Sequence, residues 1–311
     1  MSYTSEIINN KQKNKKTKKL NLGIKVIHSY FIIYTFLCLF PLFLIFSISF
    51  TDETSISRSG YHVIPKQFST YAYEFIFKEG EAVIRSYIIS IFVTIVGTIT
   101  GLFVLCLYAY PLSRNDFKYK NIFTFYAFFT FLFNAGIVPW YMVIVRVLHL
   151  KNNLLVYFLP YLMNAWFLLI MRTFYKSIPD SIIESAKIDG AGEYRIFFSI
   201  IVPLSIPGIA TIGLFYTILF WNDFYLPLLF IDDKKLYNLQ FLMYRVQMNI
   251  QYISAIAGNI SGGQAAEILK RIPSRSAQMA MAILSIGPIA LAYPYFQKYF
   301  VKGLTIGSLK G

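Results

Sequence analysis

The chain has 311 residues, of which 56% are apolar and 14% are charged, against about 25% charged residues in ordinary soluble domains. So few charges could not cover the surface of a water-soluble globule of this length, and the composition indicates an integral membrane protein. The formal charge of +14 would permit nucleic-acid binding, but its distribution favours a membrane instead. Cys38 and Cys106 lie within apolar runs, so we expect neither a disulfide framework nor a metal site.

The chain begins with a basic segment. Six lysines lie between residues 11 and 19, in a stretch with few apolar side chains, so residues 1–24 are predicted to form a disordered cytosolic tail. Each lysine near anionic lipid contributes about 1 kcal/mol of binding. We therefore expect this tail to fix the membrane orientation and not to bind nucleic acid.

Membrane-spanning helices are predicted where charges are absent, because a span needs about 20 apolar residues and charged side chains are costly in hydrocarbon. Seven stretches of at least 20 uncharged residues occur. The one over residues 246–266 is rejected for its Gln, Asn, Ser and Gly content. The other six predict a transmembrane domain over 25–298, with spans at about 26–50, 86–110, 121–145, 152–171, 198–222 and 276–297.

The basic residues set the orientation of these spans. With the N-terminus in the cytosol, the cytosolic segments carry 17 Lys and Arg and the external loops carry 12, as the positive-inside rule requires. The predicted fold is an all-α polytopic membrane protein with six transmembrane helices and both termini in the cytosol. It has a long polar external loop over 223–275 and a cytosolic tail over 299–311.

The cytosolic loop over 177–197, between spans four and five, has the pattern of a helix-turn-helix. Ser177 is predicted to be the N-cap of a helix that carries Ile183 and Ala186 on its apolar side. Gly190 can take the positive φ that ends such a helix, and a second helix starts near Gly192. An amphipathic element of this kind lies on the bilayer or docks a partner, and composition alone favours the bilayer.

The spacing of this loop resembles the signature of binding-protein-dependent ABC importer permeases, which is Glu-Ala-Ala, three residues, Gly, nine residues, Ile-x-Leu-Pro. Here it reads Glu184-Ser185-Ala186, Gly190, then Ile-Ile-Val-Pro over 200–203, with Ser and Val as the departures. The resemblance extends to the carbohydrate-uptake class, similar to the smaller maltose-transporter membrane subunit and to a Gram-positive complex-oligosaccharide branch. Its other segments are YAYPLSR (108–114), FNAGIVPWY (133–141), IDGA (188–191), WNDF (221–224) and the ending KGLTIGSLKG.

The resemblance implies that the loop is a coupling helix seated in a cleft of an ATPase. The residues implied in coupling are Glu184, Ser185, Ala186, Asp189, Gly190, Ala191, Ile200 and Pro203. The apolar residues of the C-terminal tail are implied to contact the ATPase as well, namely Leu304, Ile306 and Leu309. The implied partners are a second homologous permease, an ATPase homodimer that binds ATP and Mg, and an extracellular substrate-binding lipoprotein at the plasma membrane.

This chain is not expected to be an enzyme or to bind a cofactor or metal. It contains no Gly-Lys pair and so cannot form a P-loop. No Asp, Glu, Lys or Arg lies well inside a predicted span, where ion-coupled carriers usually place an ionisable residue. A stand-alone secondary carrier or channel is the alternative, and a membrane-embedded hydrolase is less favoured because no carboxylate or His cluster is evident.

Amphipathic residues within or at the ends of spans are candidates for the sugar path, because sugars stack on aromatic rings and bond to amides. They are Asn134, Trp140, Asn164, Trp166, Trp221, Asn222 and Tyr225. The alternative is that the aromatic residues form interfacial belts and the amides bind neighbouring helices. The sequence does not identify the sugar.

Overall fold

The computed structural model describes residues 2–133, 135–259 and 274–307, and within them the chain is helical, with a single isolated β-bridge between Thr51 and Phe68. The all-α class is thus confirmed for the described residues. The first seven α-helices are α1 Ser2–Ser49, α2 Glu53–Ser59, α3 Tyr71–Ile76, α4 Gly80–Ser113, α5 Lys120–Leu132, α6 Ile137–Met142 and α7 Ala165–Lys176. The others are α8 Asp180–Ile188, α9 Glu193–Ile196, α10 Val202–Leu204, α11 Ile206–Trp221, α12 Tyr225–Phe230, α13 Leu239–Asn259 and α14 Ser274–Gly307.

Helix α1 is longer than the first predicted span. It begins at Ser2 and so includes residues for which the sequence predicted a disordered tail. Lysine is a good helix former, and an existing apolar helix removes the cost of nucleating a new one. The apolar stretch Ile24–Ser49 is long and apolar enough to cross a membrane.

Two compact units make up the chain, and the first comprises residues 1–75 and 266–283. Its aromatic centre is Phe50, whose ring stacks on Phe68 at 5.5 Å and lies 4.8 Å from the ring of Tyr73. The Glu53 carboxylate accepts hydrogen bonds from the amide and hydroxyl of Ser276. This carboxylate therefore satisfies free N–H groups in the first turn of α14.

The second unit comprises residues 76–265 and 284–311, and its core lies where α4 packs against α7 and α11. Two glycines of α4 allow the close approach of α11. A Cβ added to Gly97 would lie 2.7 Å from the Phe220 ring, and one added to Gly101 would lie 3.0 Å from the Tyr216 ring. Small residues at these positions let large rings fill the helix interface.

Two described helices, Ile24–Ser49 and Gly80–Ser113, are each long and apolar enough to cross a membrane. Three sharply bent pairs are further candidates: Lys120–Leu132 with Ile137–Val147, Leu154–Tyr161 with Ala165–Lys176, and Glu193–Leu204 with Ile206–Trp221. Counting each pair once gives up to five spans, at the positions of the first five predicted ones. The sixth, 276–297, lies in α14, which does not meet the same criteria over the described residues. Six spans and the orientation stay predictions.

Candidate functional site

The loop between α7 and α11 forms the predicted helix-turn-helix. Helix α8 ends in a Schellman motif, in which the amide of Gly190 donates to Lys187 O at 3.0 Å and that of Ala191 donates to Ala186 O at 2.9 Å. Gly190 has a φ of +77°, as predicted. Because no atom would lie within 4 Å of an added Cβ, backbone conformation and not space requires glycine here.

The predicted N-cap at Ser177 is wrong. Ser177 ends helix α7, and its hydroxyl donates to Phe174 O at 2.7 Å. Helix α8 begins instead at Asp180, after Pro179, which supplies no side-chain cap. A serine hydroxyl can bond back to a preceding carbonyl as readily as it caps a following helix, and the sequence pattern did not distinguish the two.

The two faces of α8 have different surroundings. Ile183 and Ala186 are buried in the core of the second unit. The residues implied in coupling that are exposed are Glu184, Ser185, Asp189, Gly190 and Pro203. On either side of Gly190, the side chains of Ile188 and Tyr194 are 86% and 81% exposed. The turn therefore presents two apolar side chains between charged ones, while Ala186 has a packing role.

A chain of charged contacts joins this loop to the end of α4. Lys187 Nζ lies 2.8 Å from Asp116 Oδ2 and 2.9 Å from Glu193 Oε1. Arg114 Nη2 contacts the same Asp116 oxygen at 2.9 Å, and the Tyr110 hydroxyl donates to Glu193 Oε2 at 2.6 Å. These five residues, which we call the coupling network, fix α8 and α9 against the end of α4.

Electrostatics favour the ionised form of this network. Hydrogen bonds from Lys187 and then Arg114 lower the pKa of Asp116 to about 2, and hydrogen bonds to Asp116 and Glu193 raise the pKa of Lys187. Both side chains are more than a third exposed, so solvent screens the interaction and its contribution to folding stability is small. The network thus stays charged at any physiological pH, and its main effect is geometric.

Sequence reasoning placed none of the five members of this network among the coupling residues. Tyr110, Arg114 and Asp116 lie in or beside the segment 108–114, which was quoted only for its resemblance. The available signal was a pair of opposite charges, Arg114 and Asp116, placed directly after the second predicted span. Only the fold brings that pair to the coupling loop.

The candidate sugar-path residues do not form one cluster. Trp140 stacks on Tyr225 with ring centroids 6.2 Å apart and an angle of 7°, while Trp166 stacks on Phe131 at 6.1 Å. Asn164 caps α7 by accepting a hydrogen bond from the Phe167 amide. The other residues divide into Trp221, which is buried, Asn222, which is exposed, and Asn134, which lies outside the described residues.

Asp223 is a buried carboxylate to which sequence reasoning gave no role of its own, since it was quoted only within WNDF and as the charge that ends an uncharged stretch. Its Oδ1 accepts hydrogen bonds from the amides of Tyr225 and Leu226, at 3.0 and 3.2 Å, and contacts the Tyr161 hydroxyl at 3.4 Å. Its Oδ2 is buried and has no hydrogen-bond partner among the described residues. Burial raises the pKa of Asp223 to about 6.

The chain resembles known permeases over most of its length. It is 33% identical to the polygalacturonan/rhamnogalacturonan transport system permease YtcP of Bacillus subtilis, over 92% of this chain and 97% of that one. It is 25% identical to the trehalose/maltose permease MalG of Thermococcus litoralis, over 90% and 94% of the two chains. In a crystal structure of a bacterial ABC transporter that imports the acidic polysaccharide alginate, one chain matches with a TM-score of 0.75 and 27% identity, over 90% of this chain and 96% of that chain.

A family model described as the inner membrane component of binding-protein-dependent transport systems matches residues 109–306. That range contains the loop over 177–197 and all five residues of the coupling network. The match favours an importer subunit over a stand-alone carrier, a channel or a membrane-embedded hydrolase. The chain therefore belongs to this family, whose members are the non-catalytic membrane subunits of ABC importers.

Proposed function

We propose that this chain is one of two permease subunits of an ABC importer that moves an oligosaccharide across the plasma membrane of a Gram-positive bacterium. The names of its relatives support this, because YtcP and the arabinooligosaccharide permease AraQ of Bacillus subtilis are both sugar permeases. The complete importer has a second homologous permease, an ATPase homodimer that binds ATP and Mg, and an extracellular substrate-binding lipoprotein. This chain has six spans with both termini in the cytosol.

The surroundings of α8 are the observation that carries this proposal. A helix that lies on a bilayer turns its apolar face toward lipid, whereas α8 turns Ile183 and Ala186 into its own protein. The face left free carries Glu184 and Asp189 beside the exposed Ile188. We call this free face, with Glu184, Ile188 and Asp189, the knob. Its mixture of charged and apolar side chains suits a protein cleft better than lipid, and we assign that cleft to the ATPase.

The coupling network gives a route for force. When the ATPase closes, displacement of α8 is transmitted through Lys187 to Asp116 and the end of α4. A second branch passes from Glu193 through α9 and the following helical turns to α11. Because α4 and α11 form the centre of the core, both branches act on the helices that must part to open a path.

Two further contacts belong to this proposal. Trp140 and Tyr225 form an aromatic pair that would stack on sugar rings. Tyr225 lies near the start of the external segment 223–275, which would contact the capture lipoprotein. Leu304 and Ile306, in the last turns of α14, would contact the ATPase together with Leu309, which lies outside the described residues. Deletion of residues 304–311 tests this contact, and we expect a lower ATP hydrolysis rate with normal membrane insertion.

The test of the coupling assignment compares Gly190→Asp with Gly190→Asn in the reconstituted importer. Both side chains tolerate positive φ better than most and differ in charge. We expect Gly190→Asp to abolish sugar-stimulated ATP hydrolysis and uptake while the complex still assembles, and Gly190→Asn to keep part of both activities. Uptake at the wild-type rate by Gly190→Asp would show that the loop does not couple. The sugar is chosen beforehand by thermal shift of the purified lipoprotein with a panel of oligosaccharides.

A further inference from the structure

A proline in α14 frees one carbonyl at a place where hydrogen bonds tie three helices together. Pro288 has no amide proton, so the carbonyl of Leu284 loses its intrahelical donor. The Tyr87 hydroxyl on α4 donates to this carbonyl at 2.8 Å. The indole N–H of Trp221 on α11 donates to the neighbouring Ser285 carbonyl at 2.8 Å. These two bonds fix α4 and α11 to α14.

A cavity of 380 Å³ lies between the three helices. Its apolar lining includes Ile91, Ile95, Ile99, Trp221, Pro288 and Ile289, and its polar lining consists of the three hydroxyls of Thr94, Thr98 and Thr217. None of the lining residues is charged. We call this cavity the threonine groove.

The hydroxyls of the groove are not all satisfied. Thr217 donates to Gly213 O at 2.7 Å, so in its 3.4 Å contact with Thr98 it must be the acceptor. Thr94 is only 7% exposed, and its hydroxyl has no hydrogen-bond partner in the described part of the chain. Threonine in a helix commonly bonds to the carbonyl four residues earlier, as Thr100 does with Val96 O. The unmade bond of Thr94 is costly unless a ligand supplies it.

The threonine groove lies near the middle of the length of α4. Helix α4 has 34 residues, and Thr94 and Thr98 lie on either side of its midpoint. In secondary transporters, substrate sites lie near the middle of the bilayer. Pockets for small molecules are mainly apolar, with a few placed polar groups, and the threonine groove has that composition.

We propose that the threonine groove binds an uncharged, hydroxyl-bearing part of the transported sugar, and this rests on the proposed function. A lipid chain offers no hydrogen bond to Thr94. A sugar hydroxyl can accept from Thr94 and donate to Thr98 at once. Since no cation lines the groove, the carboxylate of an acidic sugar would have to lie elsewhere.

The first experiment asks whether the groove is open to water during transport. Thr98→Cys is prepared in a Cys38→Ser, Cys106→Ala background and reconstituted with the whole importer. The probe is the water-soluble thiol reagent sulfonatoethyl methanethiosulfonate, applied without nucleotide and after trapping with ATP and vanadate. We expect Thr98→Cys to react in one of these states and the matched control Thr100→Cys, outside the groove, to react in neither. Reaction of Thr98→Cys only with a lipid-soluble maleimide, or with no reagent in either state, would overturn the proposal.

The second experiment tests the hydroxyl itself. We expect Thr94→Val to lower sugar uptake about two- to tenfold, the loss of one hydrogen bond, and Thr94→Ser to restore it, while Thr100→Val has no effect. ATP hydrolysis in the absence of sugar should be unchanged in Thr100→Val. Wild-type uptake by Thr94→Val would rule out the hydroxyl contact. If the wild-type complex itself shows no ATP-dependent uptake, that result contradicts the proposed function as well as the groove.

Discussion

The ammonium group of Lys187 lies 2.8 Å from a carboxylate oxygen of Asp116, although the two residues are 71 positions apart in the chain. Lys187 lies on α8, and Asp116 follows the end of α4. A second carboxylate, that of Glu193, contacts the same ammonium group at 2.9 Å. One lysine therefore connects α8 both to the segment after α4 and to the start of α9.

The first prediction tests whether the positive charge of Lys187 is needed for this contact. Lys187→Glu should reduce sugar-stimulated ATP hydrolysis, because it places a negative charge between Asp116 and Glu193. Its effect on stability should stay within about 1 kcal/mol, since the pair is exposed. Addition of Asp116→Lys should restore part of the activity by renewing one attractive contact. The ATP hydrolysis rate and the melting temperature are measured for the two single variants and for the double variant. A double variant that hydrolyses ATP no faster than Lys187→Glu would contradict the prediction.

The second prediction uses the buried Asp223. Its folded-state pKa of about 6 lies above the ordinary value of 3.8, so ionisation opposes folding, and stability should increase as pH falls from 7 toward 4. The gain approaches about 3 kcal/mol, from about two pKa units at 1.36 kcal/mol each. Asp223→Asn should therefore be more stable than wild type at pH 7.5 and should lose that advantage at pH 4. Equal melting temperatures of Asp223→Asn and the wild type at pH 7.5 would show that ionisation of Asp223 does not destabilise the fold.

The same residues show what could be predicted from sequence. The helix-turn-helix and the positive φ of Gly190 follow from local preferences, and both were predicted. The Lys187–Asp116 contact and the burial of Asp223 depend on how distant helices pack, and no local pattern specifies that. Uncharged stretches coincide with the first five candidate spans but did not predict that three of them are bent pairs of helices. The number of residues between two charges indicates how long a segment is, and it carries no information about a bend within it.

The third prediction tests the packing of α4 on α11. Gly97→Ala would place a methyl group 2.7 Å from the Phe220 ring, so the ring or the helix must shift, and we expect a loss of about 1–3 kcal/mol in folding stability. Gly80→Ala is the matched control, because Gly80 is helical and has no atom within 4 Å of an added Cβ. It should leave the melting temperature unchanged or raise it slightly. Similar melting temperatures for the two variants would mean that α11 does not press against Gly97.

The last prediction distinguishes binding of the ATPase from folding stability at the turn around Gly190. Ile188 is 86% exposed and Ile64, in the first unit, is 80% exposed, so serine at either position should change folding stability by no more than about 0.5 kcal/mol. Only Ile188 belongs to the knob assigned to the ATPase cleft. Ile188→Ser should therefore weaken binding of the ATPase, by up to the 1.5–3 kcal/mol that a buried isoleucine contributes, whereas Ile64→Ser should not. Titration of the purified ATPase against permease pairs in nanodiscs measures this, and equal affinities for the two variants would place the ATPase contact elsewhere.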